Sequence, residues 1–164
     1  MGRGVALAGF MGVGKSTVGA ALADHLGLGF VDLDGLLEAE AGCSVADLFD
    51  REGEPGFRLR ETRAVRRLAG GPPVVLALGG GTIHHGDNLE LLRGRFFVMS
   101  LLAPLSEIRA RVGSSDASRP LWGDAESRFL ERDAGYRRAD ACVDVSGLDL
   151  DATVRAVIEA LPCD

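Results

Sequence analysis

The sequence predicts an α/β fold in which a five-stranded parallel sheet lies between two layers of helices, a three-layer αβα arrangement. Five short runs are mainly apolar, as expected of strands that are buried on both faces. Segments with helical spacing separate these runs, and strands that alternate with helices indicate a parallel sheet. We therefore expect one domain over residues 1–164, with additions to the core at about 33–61 for a substrate and at about 112–124 for a lid.

The predicted strands share a mainly apolar character, and they span residues 4–10, 29–34, 72–81, 95–103 and 141–147. The first run is followed directly by a glycine loop, so we interpret it as a strand and not as a signal peptide. The third run ends in three glycines, which is typical of a strand that gives way to a loop.

The predicted helices follow the strands, and the clearest span residues 15–27, 104–112 and 149–162. In the first, apolar residues recur on one face and Gly27 provides the stop. Residues 33–69 are acidic with helical spacing, and the glycines and proline of 53–56 predict a break within them. Asp149 or Asp151 is expected near the N-cap of the last helix.

Composition excludes several classes of protein. The chain has 164 residues, 46% of them hydrophobic and 26% charged, with a formal net charge of −6. This acidic balance argues against a nucleic-acid binder, which usually presents a basic face. No apolar run approaches the length of about 18 residues that a membrane span needs. The three cysteines are odd in number and far apart, which favours reduced thiols in a cytoplasmic protein. Separately, we expect the protein to be a monomer.

The stretch "GFMGVGKST" (9–17) matches the phosphate-loop pattern G-x-x-x-x-G-K-[ST] between a predicted strand and a predicted helix. Its glycines allow backbone N–H groups to surround phosphate oxygens at the positive end of a helix. Lys15 would reach the β- and γ-phosphates, and it is the one lysine in a chain with 17 arginines. The residues expected to bind nucleotide here are Gly12, Val13, Gly14, Lys15, Ser16 and Thr17.

The stretch "FVDLD" (30–34) places two aspartates two residues apart at the end of the second predicted strand. This spacing directs both carboxylates to one side of a strand, at the sheet edge where ligands of parallel sheets bind. We expect one of the carboxylates of Asp32 and Asp34 to hold a hydrated Mg²⁺ together with Ser16, and the other to receive a proton from an attacking hydroxyl. An isolated pair of this kind is more often a helix N-cap with a solvated neighbour.

The stretch "LGGG" (78–81) is a second glycine cluster at the same edge of the sheet. It predicts that the backbone of Gly79, Gly80 and Gly81 approaches another ligand closely. A tight turn after the strand is the alternative. His84 and His85 follow without a nearby acid or thiol in the motif, which favours loop residues over metal ligands.

These motifs occur together in an order that closely resembles the shikimate kinases. The shared segments cover nearly the whole chain, and they are 9–17, 30–34, "GEPGFRLRE" (53–61), 78–81, "SRPL" (118–121) and "RDAGY" (132–136). A phosphate loop alone is common, whereas this ordered combination is specific. The resemblance implies a P-loop kinase of the nucleoside-monophosphate-kinase type that phosphorylates the shikimate 3-hydroxyl with ATP as co-substrate and Mg²⁺ as metal.

The resemblance also implies how the substrate is bound. Asp34 would bind the attacking diol and act as base, Arg58 and Arg132 would hold the carboxylate, and Glu61 would orient Arg58. The residues expected to line the ring and its apolar side are Gly79, Gly80, Gly81, Phe49 and Phe57. Phenylalanines are more often core residues than ligand platforms, so both interpretations of the aromatic pair stay open.

On the nucleotide side, the resemblance implies that Asp32 acts on Mg²⁺ through water and that Arg119 closes over the phosphates from the lid. Lys15, Asp34 and Arg119 would then be the catalytic residues, and Lys15 and Arg119 would neutralise charge on the transferred group. Arg111 is expected to stack on adenine, with Arg109 as the alternative.

The chain departs from the family pattern in one region. The segment between Arg119 and Arg132 is several residues shorter than expected, and Ala134 stands where the family usually has proline. Arg137 and Arg138 lie close by in sequence as competitors for the carboxylate. Arg132 is preferred because Tyr136 follows it by four residues, as in the family.

Two other functions fit part of the pattern. A gluconate-type kinase would share the phosphate loop, whereas Arg58 and the triple glycine favour a cyclic carboxylate. A nucleotide-gated binding module would leave Asp34 and Arg58 without a role, and added shikimate would not affect its ATP hydrolysis.

Overall fold

The computed structural model describes residues 2–113 and 124–162. The sheet is parallel throughout, with five strands in the order β2-β3-β1-β4-β5. These strands are β1 (Gly4–Gly9), β2 (Gly29–Asp32), β3 (Val74–Ala77), β4 (Phe96–Leu102) and β5 (Ala141–Asp144). Each predicted apolar run contains one strand, so the predicted fold class is confirmed.

Helices connect the strands, and they are α1 (Lys15–Leu26), α2 (Leu33–Ala41), α3 (Val45–Ala69), α4 (Asn88–Arg93), α5 (Leu105–Val112), α6 (Ala125–Tyr136) and α7 (Leu150–Glu159). A short 3₁₀ helix, Thr82–His84, follows β3. Asp149 caps α7, because its side chain accepts a hydrogen bond from the backbone N–H of Ala152. Among the described residues, no helix is both long and apolar enough to cross a membrane.

The break predicted at 53–56 is present inside α3. Gly53 has φ 68° and ψ 178°, a backbone conformation that is essentially restricted to glycine. Pro55 lies just beyond it, so the second part of the helix starts in a new direction. Ser44 and Asp47 form a reciprocal capping box at the start of α3, which supports its first part.

The core is centred on the three middle strands of the sheet. Val5, Leu7, Leu76, Val98 and Met99 have no exposed surface, as expected of strands covered by helices on both faces. The carboxyl ends of β1, β2 and β3 lie side by side in this strand order. The phosphate loop, the two aspartates and the triple glycine are therefore brought to one edge of the sheet.

Candidate active site at the carboxyl ends of the strands

The phosphate loop leads from β1 into α1, which begins at Lys15. Gly14 precedes the helix with φ 110°, in the region that favours glycine. The Lys15 ammonium is buried and donates hydrogen bonds to the carbonyls of Gly9 (2.8 Å) and Phe10 (3.0 Å). These bonds hold the side chain across the loop, so its charge lies where phosphates approach the helix N-terminus.

Asp32 and Asp34 do not share one side of a strand, so that part of the prediction is wrong. Strand β2 ends at Asp32, and α2 begins at the next residue. The carboxylate of Asp32 accepts a hydrogen bond from the backbone N–H of Gly35 (3.2 Å), which makes Asp32 the N-cap of α2. Because an N-cap favours a helix start, Asp34 lies in the first helical turn instead of extending the strand.

Asp32 also contacts the phosphate loop. Its second carboxylate oxygen accepts a hydrogen bond from the Ser16 hydroxyl. Ser16 lies in the first turn of α1, so this contact joins the N-termini of α1 and α2. Two oxygen donors of the kind that Mg²⁺ prefers are thus adjacent, beside the loop where phosphates are expected.

Asp34 is half-buried, and its surroundings change its acidity. Burial raises the pKa of this carboxyl to about 6, and the negative charges of Glu61, Asp32 and Glu38 act in the same direction. The Lys15 ammonium opposes them. A carboxylate with a raised proton affinity that is still ionised at neutral pH is suited to accept a proton.

Arg58 and Glu61 form a buried ion pair on the second part of α3. An Arg58 Nη1 atom donates to Glu61 Oε2 at 2.5 Å, and Glu61 has no exposed surface. Arg58 is 8% exposed, and its guanidinium also lies 5.5 Å from the ring centroid of Phe57. The i, i+3 spacing places both side chains on one face of the helix. Glu61 therefore fixes the orientation of Arg58, as the resemblance implies.

Each residue of the triple glycine lies against a different group of side chains. A β-carbon on Gly79 would lie 2.7 Å from Glu61 Oε1 and 3.1 Å from Asp34 Oδ1. One on Gly81 would lie 2.8 Å from the central guanidinium carbon of Arg58. A side chain at Gly79 or Gly81 would therefore require the acids or the arginine to shift away from this loop.

Helix α6 brings Arg132 and Tyr136 to Gly80. The Tyr136 hydroxyl donates to the Gly80 carbonyl at 2.5 Å, and a β-carbon on Gly80 would lie 3.5 Å from Arg132 Nη1. The competing arginines are held elsewhere, because Arg137 pairs with Asp133 and Arg138 pairs with Glu90, both on the exposed surface. The geometry therefore favours Arg132 over its neighbours.

His84 strengthens the contact between α6 and this loop. Its imidazole Nε2–H donates to the Arg132 carbonyl at 2.9 Å, and its ring packs edge-on against Tyr136 with centroids 4.7 Å apart. Gly135 leaves room for the ring, which a β-carbon there would overlap. Burial lowers the pKa of His84 and the charges of Arg132, Arg58 and Arg138 add to this shift, whereas the hydrogen bond to the Arg132 carbonyl opposes it. The net shift favours the neutral imidazole.

Arg111 lies between the phosphate loop and the loop after β5. Its guanidinium donates to the carbonyls of Val145 (2.8 Å) and Val13 (3.4 Å) and to Glu107 Oε1 (2.6 Å). Glu107 in turn accepts a hydrogen bond from the backbone N–H of Gly147 (2.8 Å). Arg111 and Arg109 were the two candidates for stacking on adenine. Because Arg111 contacts the phosphate loop, the geometry favours Arg111.

The aromatic pair lies beside Arg58. The rings of Phe49 and Phe57 are 4.5 Å apart between centroids. Phe57 is 3% exposed and belongs to the core, whereas Phe49 is only partly buried. Phe49 is therefore the ring with surface available to a ligand.

Arg119 and most of the 112–124 segment lie outside the described residues.

The sequence interpretation missed Thr82 and underestimated His84 and Tyr136. Thr82 is fully buried, and its hydroxyl donates to Glu61 Oε1 at 2.7 Å. A threonine directly after a glycine run carries no sequence signal of such a contact, since its partner lies 21 residues earlier. Tyr136 is the one tyrosine of the chain, which was a usable hint.

Comparison with known proteins agrees with this geometry. The family model described as shikimate kinase matches residues 11–162. A curated shikimate kinase from Halorhodospira halophila is 42% identical over 162 residues, which cover 94% of this chain and 91% of that protein.

Solved structures give the same result. A shikimate kinase from Acinetobacter baumannii, solved in complex with shikimate, has a TM-score of 0.88 and 33% identity, with 96% of this chain and 91% of that chain covered. A gluconokinase from Sinorhizobium meliloti has a TM-score of 0.60 and 21% identity over 96% of this chain and 91% of its own, and this likeness shows the fold alone. The chain belongs to the shikimate kinase family, P-loop kinases that transfer a phosphoryl group from ATP to shikimate.

Proposed function

We propose that this site transfers the γ-phosphoryl group of ATP to the 3-hydroxyl of shikimate. The observation that carries the proposal is the position of Asp34. The positive charge of Lys15 in the phosphate loop acts on this carboxylate and lowers its pKa. The carboxylate also lies against Gly79, beside Glu61. A hydroxyl bound between the two glycine loops would therefore meet a base and a phosphate at the same point.

Two guanidinium groups on different helices would bind the substrate carboxylate. Arg58 lies at Gly81 and Arg132 lies at Gly80, so both would flank a ring bound on the triple-glycine loop. A net charge of −6 opposes an anionic ligand, so a carboxylate needs local arginines of this kind. Gly79, Gly80 and Gly81 would line one face of the ring, and Phe49 would offer an apolar wall.

The proposed reaction is an in-line displacement. Asp34 orients the 3-hydroxyl and accepts its proton as the hydroxyl oxygen bonds to the γ-phosphorus. The bond from that phosphorus to the β–γ bridging oxygen breaks, and ADP leaves. Lys15 neutralises charge that develops on the phosphates, and the N–H groups of the phosphate loop hold them in place.

The residues beside the phosphate loop fit a magnesium ion. We assign its protein contacts to Ser16 and Asp32, whose oxygens are already adjacent. Mg²⁺ usually keeps several waters and binds through one or two carboxylates and substrate phosphates, and when bound it neutralises phosphate charge. Gly12, Val13, Gly14 and Thr17 would complete the nucleotide contacts, Arg111 would stack on adenine, and Arg119 would cover the phosphates.

A coupled assay that follows ADP release tests the function directly. Shikimate should stimulate ADP release strongly, whereas gluconate at the same concentration should leave the background rate unchanged. Stimulation by gluconate alone would identify the gluconate-type alternative. ADP release that no hydroxy acid changes would identify a nucleotide-gated binding module instead.

A further inference from the structure

We propose that Thr82 is a positioning residue for the substrate carboxylate: its hydroxyl fixes the buried Glu61, and Glu61 in turn orients Arg58. This inference deepens the proposed function and rests on it, because Arg58 matters in this way only if it binds a carboxylate.

The hydrogen bonds leave Glu61 with one donor on each carboxylate oxygen. Oε2 accepts from Arg58 at 2.5 Å, and Oε1 accepts from the Thr82 hydroxyl at 2.7 Å. Glu61 and Thr82 have no exposed surface. A buried carboxylate that loses a donor cannot recover it from water, so removal of the hydroxyl would leave Oε1 without its partner.

Thr82 is itself held in place by a second buried group. The Asn88 side-chain amide donates to the Thr82 carbonyl at 3.0 Å, and Asn88 has no exposed surface. The backbone N–H of Thr82 donates to the Gly79 carbonyl at 3.2 Å. Thr82 is thus anchored to α4 and to the glycine loop, so its hydroxyl offers Glu61 a fixed donor and not a mobile one.

Thr82 also lies beside both carboxylates at the triple-glycine loop. Glu61 Oε1, Thr82 Oγ1 and Asp34 Oδ1 surround the position of a β-carbon on Gly79, at 2.7, 3.0 and 3.1 Å. With the Thr82 hydroxyl on Oε1 and the Arg58 guanidinium on Oε2, each carboxylate oxygen of Glu61 has a donor. Both carboxylates can then hold separate roles: Glu61 orients the guanidinium and Asp34 faces the reacting hydroxyl.

The test compares two substitutions that differ in the hydroxyl. Thr82→Val keeps the shape of the side chain and removes the hydroxyl, whereas Thr82→Ser keeps the hydroxyl and removes the methyl group. We expect Thr82→Val to raise the KM for shikimate about tenfold, as loss of a hydrogen bond to a charged group predicts. Thr82→Ser should stay within about twofold of the wild-type value, and the KM for ATP should stay unchanged in both.

A second readout reports on Arg58 itself. The wild-type protein should prefer shikimate to its methyl ester, which lacks the carboxylate charge, and Thr82→Val should reduce this preference while Thr82→Ser keeps it. A general structural defect would weaken both ligands equally. If Thr82→Val is not obtained folded, Thr82→Ala compared with Thr82→Ser carries the same test.

The outcomes separate this inference from the proposed function. Equal KM values in Thr82→Val and the wild-type protein, equal defects in the Val and Ser variants, or an unchanged preference over the ester would each overturn the role of Thr82. A wild-type protein that does not phosphorylate shikimate would overturn the proposed function instead.

Discussion

Three acidic side chains, Asp32, Asp34 and Glu61, lie in one region of the site although like charges repel. Asp32 and Glu61 each accept hydrogen bonds from groups of their own. Asp32 caps α2 and accepts from Ser16, Glu61 accepts from Arg58 and Thr82, and Asp34 is left with a raised pKa of about 6. Burial is the largest cause of this raised pKa and the charges of Glu61 and Asp32 add to it, which gives Asp34 the proton affinity that a general base needs.

The substitution Asp34→Asn tests this role of the carboxylate. The amide keeps the shape but cannot accept the hydroxyl proton, so we expect kcat to fall by about 10²–10⁴-fold, the usual contribution of a general base. The affinity for ADP, measured by calorimetry, should change little because Asp34 does not belong to the phosphate loop. Normal turnover by this variant would remove Asp34 from the chemistry.

The pH dependence of kcat/KM for shikimate is a second test. The base must be ionised, so kcat/KM should fall as the pH decreases through about 6, the pKa of Asp34. Burial is the main cause of the raised pKa and the charge of Glu61 is the next. Glu61→Gln removes that charge, so its acid limb should lie at a lower pH than that of the wild-type protein.

Comparison of the pH profiles of the wild-type protein and Glu61→Gln provides the control for this measurement. Titration of ATP itself is common to both proteins, so it cannot shift one profile relative to the other. Two acid limbs that coincide would show that Glu61 does not set the proton affinity of the base.

Two arginines near the end of α6 allow a matched comparison. Arg132 lies at Gly80, whereas Arg137 pairs with Asp133 on the surface. We expect Arg132→Ala to raise the KM for shikimate by about ten- to a hundredfold, the loss of a charge-assisted contact. Arg137→Ala should leave that KM unchanged, because exposed ion pairs contribute little. Equal KM values in the two variants would mean that the carboxylate docks elsewhere.

Among the elements, α3 depends on a single residue for its change of direction. Gly53 adopts a conformation that other residues rarely tolerate, and the part of the helix beyond it carries Arg58 and Glu61. Gly53→Ala should lower the free energy of unfolding by about 1–3 kcal/mol, the strain of this backbone region. It should also raise the KM for shikimate, since the ion pair would shift with the helix. Urea denaturation and steady-state kinetics measure the two effects.

Gly42 provides the control for this experiment. It ends α2 with φ 67°, and a β-carbon there would meet no atom within 4 Å. Gly42→Ala should therefore cost stability through backbone strain alone and leave the KM for shikimate unchanged. If Gly53→Ala behaved in the same way, the kink would be structural and would not position Arg58.

Helix α6 was the element least accessible to sequence reasoning. Its contacts with the glycine loop run from Tyr136 to Gly80 and from His84 to the Arg132 carbonyl, across more than 45 residues of sequence. Long-range contacts of this kind leave no periodic signal. The start of α2 was misplaced for a local reason, because Asp32 acts as N-cap and thereby ends the strand two residues early.

At the scale of the molecule, the strand order explains why motifs found in the sequence could predict the position of the site. Buried parallel strands read as apolar runs, and in the order β2-β3-β1-β4-β5 the motifs that follow β1, β2 and β3 become neighbours. The phosphate loop, Asp32 and the triple glycine were therefore found from local patterns. Thr82, His84 and the choice among the arginines depend on side-chain contacts between elements, which only the structure supplies.

The most direct test of the central claim is a crystal structure of this protein with shikimate and ADP. We expect the ring on Gly79–Gly81, its carboxylate on Arg58 and Arg132, and its 3-hydroxyl within a hydrogen-bond distance of about 2.6–3.2 Å from Asp34. A ring bound away from the triple glycine, or a carboxylate held by neither arginine, would contradict this account.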